Sequence, residues 1–448
     1  MTPIPRSILS TFRTLVRKAG LHKKIAGATP GFAVVAEADG CFLRCASHEV
    51  AIQCRHAGSF VAGQHRLPLD ALDAIDGKQD DAVTFQTDGK NRTLLTWTDH
   101  SVPRQASFDA PKLAPFPEVP TSFTTNEPTL WGALHDAVPV TDKDATRYAL
   151  GCLCLRGPRG RIDATDGKHV LTQSGFEFPW TEDVLLPANG LLGCKMLDIG
   201  VPVGVGRSGG WVGFQVSNWL VMIAEPKQGR WPKIDEIIPN AEAAKSRLEL
   251  SAQDATFLRE TLPRLPNDDP HYEPITLDLN GQVLVRAREA EKARPTQVEL
   301  PSSRLDGEPV VLHTNRRYLA EALRLRFRTL HCFGSKSPVL CSDDRRRYLW
   351  CLLDGESAIP RHSDPIRIET LCARSSLATT PTPSCRRDGS SPSASACRRP
   401  PFRRIASTST ALSEHHRSHR REASSTWCTE EGTGLRTRAR EAASRRTS

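Results

Sequence analysis

Arg147 to Leu171, RYALGCLCLRGPRGRIDATDGKHVL, is the stretch from which the rest of the chain can be read. It gives a strand with alternating apolar positions, a tight turn at Arg159-Gly160, a returning strand, and a second turn at Asp166-Gly167. Comparable turns stand at Asp39-Gly40 and Asn280-Gly281, so Gly40, Gly160 and Gly281 lie 120 and 121 residues apart. That period is too long for a solenoid repeat and suits a whole domain, which predicts three copies of one fold.

Other landmarks keep the same order. Helical runs precede each hairpin at Ile8 to Lys18, Leu130 to Val138 and Ala255 to Leu265. A second helical run follows at PLDALDAI from Pro68, PANGLLGCKML from Pro187 and TNRRYLAEALR from Thr314. Late hairpins are expected around Gly89, Asn218 and Ser335. Phe116-Pro117 and Trp231-Pro232 mark ends near 120 and 240, giving domains 1–120, 121–240 and 241–353.

The segments RYALG (147–151), ATDGKHVL (164–171), GRWPKIDEIIP (229–239) and TNRRYLAEAL (314–323) resemble the bacterial DNA polymerase III beta subunit, the sliding clamp. The resemblance runs from about residue 8 to 353 and is strongest in the middle third. It implies an α+β chain of three tandem DNA-clamp domains, each with two helices packed on antiparallel sheets. It further implies a head-to-tail homodimer, closed by C2 symmetry, that encircles duplex DNA and tethers the replicative polymerase.

The net charge of +9 over 448 residues conceals an uneven distribution. Residues 1–36 carry six Lys or Arg and no acid, and 354–448 carry 17 Arg against 10 acids, leaving 37–353 at −4. A mildly acidic body with basic elements set into it is compatible with encircling DNA, although ordinary variation of surface charge gives the same figures. No run of 18 apolar residues exists to span a membrane, and an odd cysteine count without a secretory signal favours a reducing cytoplasm. The acid-free amphipathic start reads either as an organellar transit peptide or, within the repeat, as the first helix of domain 1. The family has a strand before this helix, and Met1 to Pro5 is too short and proline-rich to supply a full one.

Nothing in the sequence argues for an enzyme, a cofactor or a metal site. The 13 cysteines include no CxxC pair; Cys54 reads as a core residue, and Cys152 and Cys154 share one strand face where a disulfide is poor. Gly204-Val205-Gly206-Arg207-Ser208-Gly209 fits GxGxxG, but a hairpin follows where a dinucleotide site needs a helix, so it reads as a loop. Asp163 and Asp166 read as hairpin and turn residues.

The helices carry charge instead. Arg13, Arg17 and Lys18, with Lys23 and Lys24 beyond, share an outward face of the first helix; Arg317, Arg324 and Arg328 do so near the last. By resemblance these meet phosphates without reading bases, joined by Arg147, Tyr148 and Lys195, since PANG leaves the second helix of domain 2 poor in cations. A solvated helix face explains any one of these runs equally well.

The resemblance also implies a peptide groove between domains 2 and 3 where polymerase III subunits and the clamp loader dock short linear motifs. It is lined by Leu150, Thr165, Gly167, Lys168, His169 and Val170, by Pro232, Glu236 and Ile237, by Asn315 and Tyr318, and by Leu349, Cys351, Leu352 and Leu353. Lys168-His169 replaces His-Arg, Glu236 replaces a basic residue, and CLL replaces a Met-Pro-Met ending, which narrows the range of peptides accepted. These departures also fit a rival reading, a divergent clamp-derived DNA-binding scaffold or regulator that no longer serves the replicative polymerase.

Residues 354–448, Arg-rich and without Lys, are expected to be disordered. Such a tail binds nucleic acid loosely, or reflects out-of-frame translation beginning after Glu369; the His415-His416 and His419 cluster reads as low-complexity sequence.

Overall fold

The first helical run folds as its spacing dictates: Leu9, Phe12, Leu15 and Val16 are buried on one face, and Arg17 and Lys18 fill the last turn, where the helix dipole favours cations. Burial of each such large apolar side chain contributes about 1.5–3 kcal/mol. The computed structural model describes residues 2–369 apart from 24–28, 78–80, 88–90, 143, 145–148, 228 and 292. Lys24, Arg147, Tyr148, the Gly89 turn and the expected tail from 370 onward, with its histidines, lie outside the described residues.

Three successive blocks follow a common order of elements, with the second helix missing from block 2 and two further strands in block 3. Block 1 runs β1 (Thr2–Pro5), α1 (Arg6–Lys18), β2 (Gly31–Glu37), β3 (Gly40–Ala46), β4 (Val50–Ala57) and β5 (Gly63–Pro68). It continues with α2 (Asp70–Ala74), β6 (Ala82–Thr87), β7 (Arg92–Asp99) and β8 (Val102–Asp109). Block 2 runs β9 (Thr124–Asn126), α3 (Thr129–Ala137), β10 (Cys152–Arg156), β11 (Arg161–Thr165), β12 (His169–Ser174) and β13 (Asp183–Pro187). It ends with β14 (Val203–Ser208), β15 (Trp211–Val216) and β16 (Trp219–Ala224). Block 3 opens with β17 (Ser246–Glu249), α4 (Ala252–Thr261), β18 (Pro274–Asp278), β19 (Leu284–Ala287), β20 (Thr296–Glu299) and β21 (Arg304–Gly307). It closes with β22 (Val311–Asn315), α5 (Arg316–Arg324), β23 (Thr329–Cys332), β24 (Val339–Ser342), β25 (Arg346–Trp350) and β26 (Ile366–Glu369).

The expected α+β architecture of helices on antiparallel sheets is what the chain adopts. Gly40, Gly160 and Gly281 all sit at the hairpin joining the first two strands after each block's first helix. Gly160 has φ +53°, and a Cβ there would collide with the Phe176 carbonyl oxygen, so this turn requires glycine.

Two sheets cross the block boundaries. The eight-stranded sheet β5-β2-β3-β4-β16-β15-β14-β9 joins blocks 1 and 2, and the nine-stranded sheet β13-β10-β11-β12-β25-β24-β23-β17-β21 joins blocks 2 and 3. Both junctions are antiparallel and follow one pattern: the third strand after a block's first helix meets the third strand of the next block's late set, β14–β16 or β23–β25. They are β4 on β16, with Cys54 opposite Trp219, and β12 on β25, with His169 opposite Trp350. Two smaller sheets, β1-β6-β7-β8 and β22-β18-β19-β20-β26, stand at the two ends.

Several local expectations are corrected. Met1 to Pro5 does supply a strand: Thr2 to Pro5 pairs with β6, and the prolines are tolerated because β1 is an edge strand. PANGLLGCKML is a run of turns rather than a helix. Gly193 adopts φ +67° there, packed so closely on His135 that a Cβ would overlap it, and Asn189 Oδ1 accepts from Leu191 N at 2.9 Å, closing an Asx turn. The GxGxxG segment is strand β14 and not a loop; Gly206 is needed because Pro120 and the Ser122 carbonyl oxygen would each lie 2.7 Å from its Cβ. Asn218 marks the β15–β16 turn, one hairpin later than Ser335, which lies between β23 and β24. Residues 354–369 do not belong to a disordered segment: Ile359 is buried, and β26 pairs in parallel with β20. Composition misled here because the segment is polar yet anchors through a few specific contacts.

The described cysteines are free, and all but the half-buried Cys351 are buried. Burial pushes the thiols of Cys41, Cys45, Cys54, Cys154 and Cys332 up to about 12 and Cys152 to about 11. Alkylation of the native chain at mildly alkaline pH therefore leaves these six unmodified, as peptide mapping will show; labelling at the rate of the denatured chain would contradict their placement.

Candidate functional site

A row formed by α1–α5 and the 187–197 turn segment crosses all three blocks. Arg13 of α1 donates to Asp73 at 2.6 Å and to Asp76, and Arg17 donates to Asp73 at 2.8 Å, tying α1 to α2. The end of α1 reaches block 2, where a Cβ on Gly190 would lie 3.3 Å from the Lys18 carbonyl oxygen. The turn at Gly193 packs on His135 of α3, and Trp131 Nε1 donates to the Cys194 carbonyl at 3.0 Å. Asp136 of α3 accepts from Arg324 of α5 at 2.8 Å, and Arg324 also pairs with Glu321. Arg316, buried at the start of α5, donates to the carbonyls of Leu262, Leu265 and Pro266 beyond α4.

Four of the expected phosphate-binding cations are therefore engaged within the chain. Arg13 and Arg17 hold α2, Arg324 holds α3, and Arg317 pairs with Glu273. Lys18, Lys23 and Lys195 are exposed and carry no ion pair among the described residues. Arg328 and Arg326, just beyond α5, are exposed as well; Arg326, at φ +66°, is a position the sequence did not single out.

Arg6 and Arg316 were also not legible as special. Each opens a helix, is nearly fully buried, and donates to carbonyls at the end of the other helix of its block; Arg6 reaches those of Ile75 and Asp76 at 3.0 and 2.9 Å. A guanidinium there satisfies orphan carbonyls that a helix end leaves unpaired. Only the apolar surroundings distinguish these arginines from Arg13 and Arg317, and one sequence does not show them.

At the β12–β25 junction the fifteen expected groove residues are brought near one another, but on two faces of the sheet. Val170 lies opposite Leu349 and packs with Ile234, Leu340 and Ile237. Strand alternation places Lys168 and Cys351 on that same face, and Cys351 N donates to the Lys168 carbonyl at 2.9 Å. Leu150 approaches the Gly167 turn, 3.6 Å from the position a Cβ would take. Leu352 and Leu353 are half-buried after β25, with Leu353 N donating to the His313 carbonyl at 2.7 Å. Pro232 is half-buried and accepts from Ile234 N at 3.0 Å, while Glu236 is exposed beside Lys233.

His169 faces the other way. Its Nδ1 shares a 2.8 Å hydrogen bond with the Tyr348 hydroxyl, and its ring lies 4.7 Å from that of Tyr318. Burial lowers its pKa despite Asp166 and Glu321 nearby, which favours the neutral ring. Thr165 and Asn315 serve the backbone: Thr165 Oγ1 donates to the His169 carbonyl at 2.6 Å, and Asn315 caps α5 through Arg317 N at 2.8 Å. Of the expected groove residues, Leu150, Gly167, Lys168, Pro232, Glu236, Ile237, Tyr318, Cys351, Leu352 and Leu353 retain some exposure.

Beneath it lies an ion network. Asp163, read from the sequence only as a hairpin residue, is an interior residue of β11 with no exposure, and meets Arg156 at 2.5 Å and Arg161 at 2.7 Å. Arg161 and Arg159 each reach Asp235 at 2.7 Å, which fixes the 234–237 segment against the sheet. Asp166 does act as a turn residue, accepting from Lys168 N and His169 N at 2.7 and 2.8 Å.

No protein-family model matches this chain, and no curated protein matches it. Solved structures do. The DNA polymerase III subunit beta from Pseudomonas aeruginosa superposes with a TM-score of 0.65 at 18% identity, over 79% of this chain and 99% of that one. The fold is that of the bacterial DNA sliding clamp. A DNA polymerase III beta subunit from Eubacterium rectale gives a TM-score of 0.65 at 16% identity, covering 79% and 99% of the two chains. The beta sliding clamp of C. crescentus gives 0.63 at 17%, covering 79% and 98%. The resemblance drawn from the sequence is thus borne out at the level of the fold. About a fifth of this chain has no counterpart in these clamps. Among the described residues no helix is long and apolar enough to cross a membrane, and no group of metal-ligating side chains occurs.

Proposed function

We propose that this chain is a non-catalytic, clamp-type protein of the cytoplasm that encircles duplex DNA without reading sequence and tethers a polymerase through short linear motifs. The observation that carries this reading is the row formed by α1–α5 and the 187–197 turn segment across three blocks, with exposed cations at Lys18, Lys23, Lys195, Arg326 and Arg328 for which no ion pair occurs among the described residues. Two copies joined head to tail would complete six blocks around the duplex. Arg147 and Tyr148 belong to the same proposed surface, as does Lys24. The peptide surface at the β12–β25 junction would take an extended segment with apolar anchors against Ile237 and Leu352 and an acidic group near Lys168.

A second reading, a clamp-derived scaffold that does not serve the replicative polymerase, is favoured by the exposed acid at Glu236 and the inward-turned His169. A generic clamp-binding peptide separates the two, because the scaffold would bind it weakly.

Fluorescence anisotropy with short duplexes of unrelated sequence tests the DNA reading. Equal affinities are expected, falling about 100-fold as salt rises from about 50 to 200 mM if some four phosphates are neutralised. Lys18→Glu with Lys195→Glu should weaken binding by on the order of tenfold. Affinities that differ between sequences, or that ignore the charge reversal, would overturn the reading.

A further inference from the structure

The junction rule leaves two strands over. The third strand after a block's first helix meets the third strand of the next block's late set at β4·β16 and β12·β25, and in block 1 the late set is β6–β8. The third strand of block 3 is β20, and the last strand of block 1 is β8, which stands at the end of its sheet with β7 as its neighbour among the described strands. Continued to a second copy, the rule pairs β20 of one chain with β8 of the other, antiparallel, and closes the assembly.

In this chain the outer edge of β20 is already taken. β26 runs along it in parallel, from Thr296 opposite Ile366 to Glu299 opposite Glu369. The approach is fastened at several points. Ile359 is buried and its N donates to Thr276 Oγ1 at 2.8 Å. Arg361 donates to both carboxylate oxygens of Asp278, at 2.7 and 3.0 Å, and to the Asn280 carbonyl at 3.1 Å. Arg294 pairs with Asp364, and Ile366 N donates to the Pro295 carbonyl at 3.0 Å.

The fastening is nonetheless light. The strand has four residues, its pairing is parallel where both junctions are antiparallel, and Ile366 is 47% exposed. Short, solvent-exposed edge pairings of this kind belong to the low-stability end of a structure and open locally. The eight-residue β8 of a second copy would offer the antiparallel pairing that both junctions use.

We propose that residues 359–369 are an intramolecular plug on the β20 edge, which the β8 strand of a second copy must displace before the head-to-tail ring can close. The plug rests on the clamp reading, and it makes self-association conditional on release of β26.

The test compares full-length wild type with full-length Ile366→Pro/Ile368→Pro, which removes two backbone donors on the β20 side of the strand. Sedimentation velocity should find wild type monomeric and the variant dimeric, with self-association at least tenfold tighter. Hydrogen exchange should show the β8 amides, Val102 to Asp109, gaining protection in the variant alone. Wild type already dimeric, and unchanged by the prolines, would overturn the plug and leave the clamp reading standing. A variant that opens β20 to exchange yet stays monomeric would overturn it too, while duplex anisotropy still decides DNA binding on its own. Should the double proline variant not fold, Arg361→Ala loosens the fastening and must shift wild type toward dimer; no shift counts against the plug.

Discussion

Replacing Asp163 with alanine is expected to lower the unfolding free energy by about 3 kcal/mol, at the low end of what removing one partner of a buried ion pair costs. The carboxylate has no exposure and lies between Arg156, 11% exposed, and Arg161, 14% exposed. Its loss strands two guanidinium groups away from water with only Asp235 and Asp183 to answer them. Asp235→Ala should cost about 1 kcal/mol or less, because that carboxylate is 35% exposed and solvent screens it. The two variants differ in function as well. Asp235→Ala frees the segment carrying Ile237 and should weaken peptide binding with little change in stability. Denaturant unfolding read by tryptophan fluorescence checks the order; a cost for Asp163→Ala below that of Asp235→Ala would mean the network is not the buried anchor described.

Asp163 also shows where sequence reading reached its limit. Turn chemistry was legible because Gly160, Gly167 and Gly281 each need positive φ, a demand that leaves glycine as a visible mark. Asp166 could be placed for the same reason. Three residues away, Asp163 looks alike in sequence, yet its role depends on Arg156 and on Asp235, 72 residues later in the chain, and burial by distant partners leaves no local mark. The helix predicted over PANGLLGCKML failed for a related cause. Its apolar spacing suits a helix, but Gly193 must sit against His135, and that contact selects a turn. Conversely, β1 formed despite two prolines because β6 offers it an edge. The three-block order survived all of this, since it rests on long-period recurrence of turns and helices rather than on any single residue. The plug strand was beyond reach: IRIE in an arginine-rich, polar stretch becomes a strand only through the vacant edge of β20.

Trp350→Ala is expected to have the largest effect of all, about 3–5 kcal/mol, the range for deleting a fully buried large aromatic side chain. Trp350 is 1% exposed and stands in the strand that joins blocks 2 and 3, opposite His169 on one side and Val339 on the other. Its ring packs 5.5 Å from that of Tyr348, which in turn holds His169, and its Nε1 donates to Thr314 Oγ1 at 2.9 Å, next to the residue that caps α5. A cavity here loosens the junction, the α5 start and the backbone beneath Leu349 together. Trp350→Phe separates packing from hydrogen bonding: it keeps most of the apolar ring, loses the donor to Thr314, and should cost about 1–2 kcal/mol. Peptide binding should fall with Trp350→Ala even at temperatures where the chain is folded, because Leu349 and Cys351 follow the same strand. Leu349→Ala, by contrast, should reduce peptide binding while leaving the Tyr348–His169 side of the sheet in place. If Trp350→Ala unfolds at the same denaturant concentration as wild type, the β12–β25 seam is not what holds the two blocks together, and the peptide surface built on it would have to be placed elsewhere.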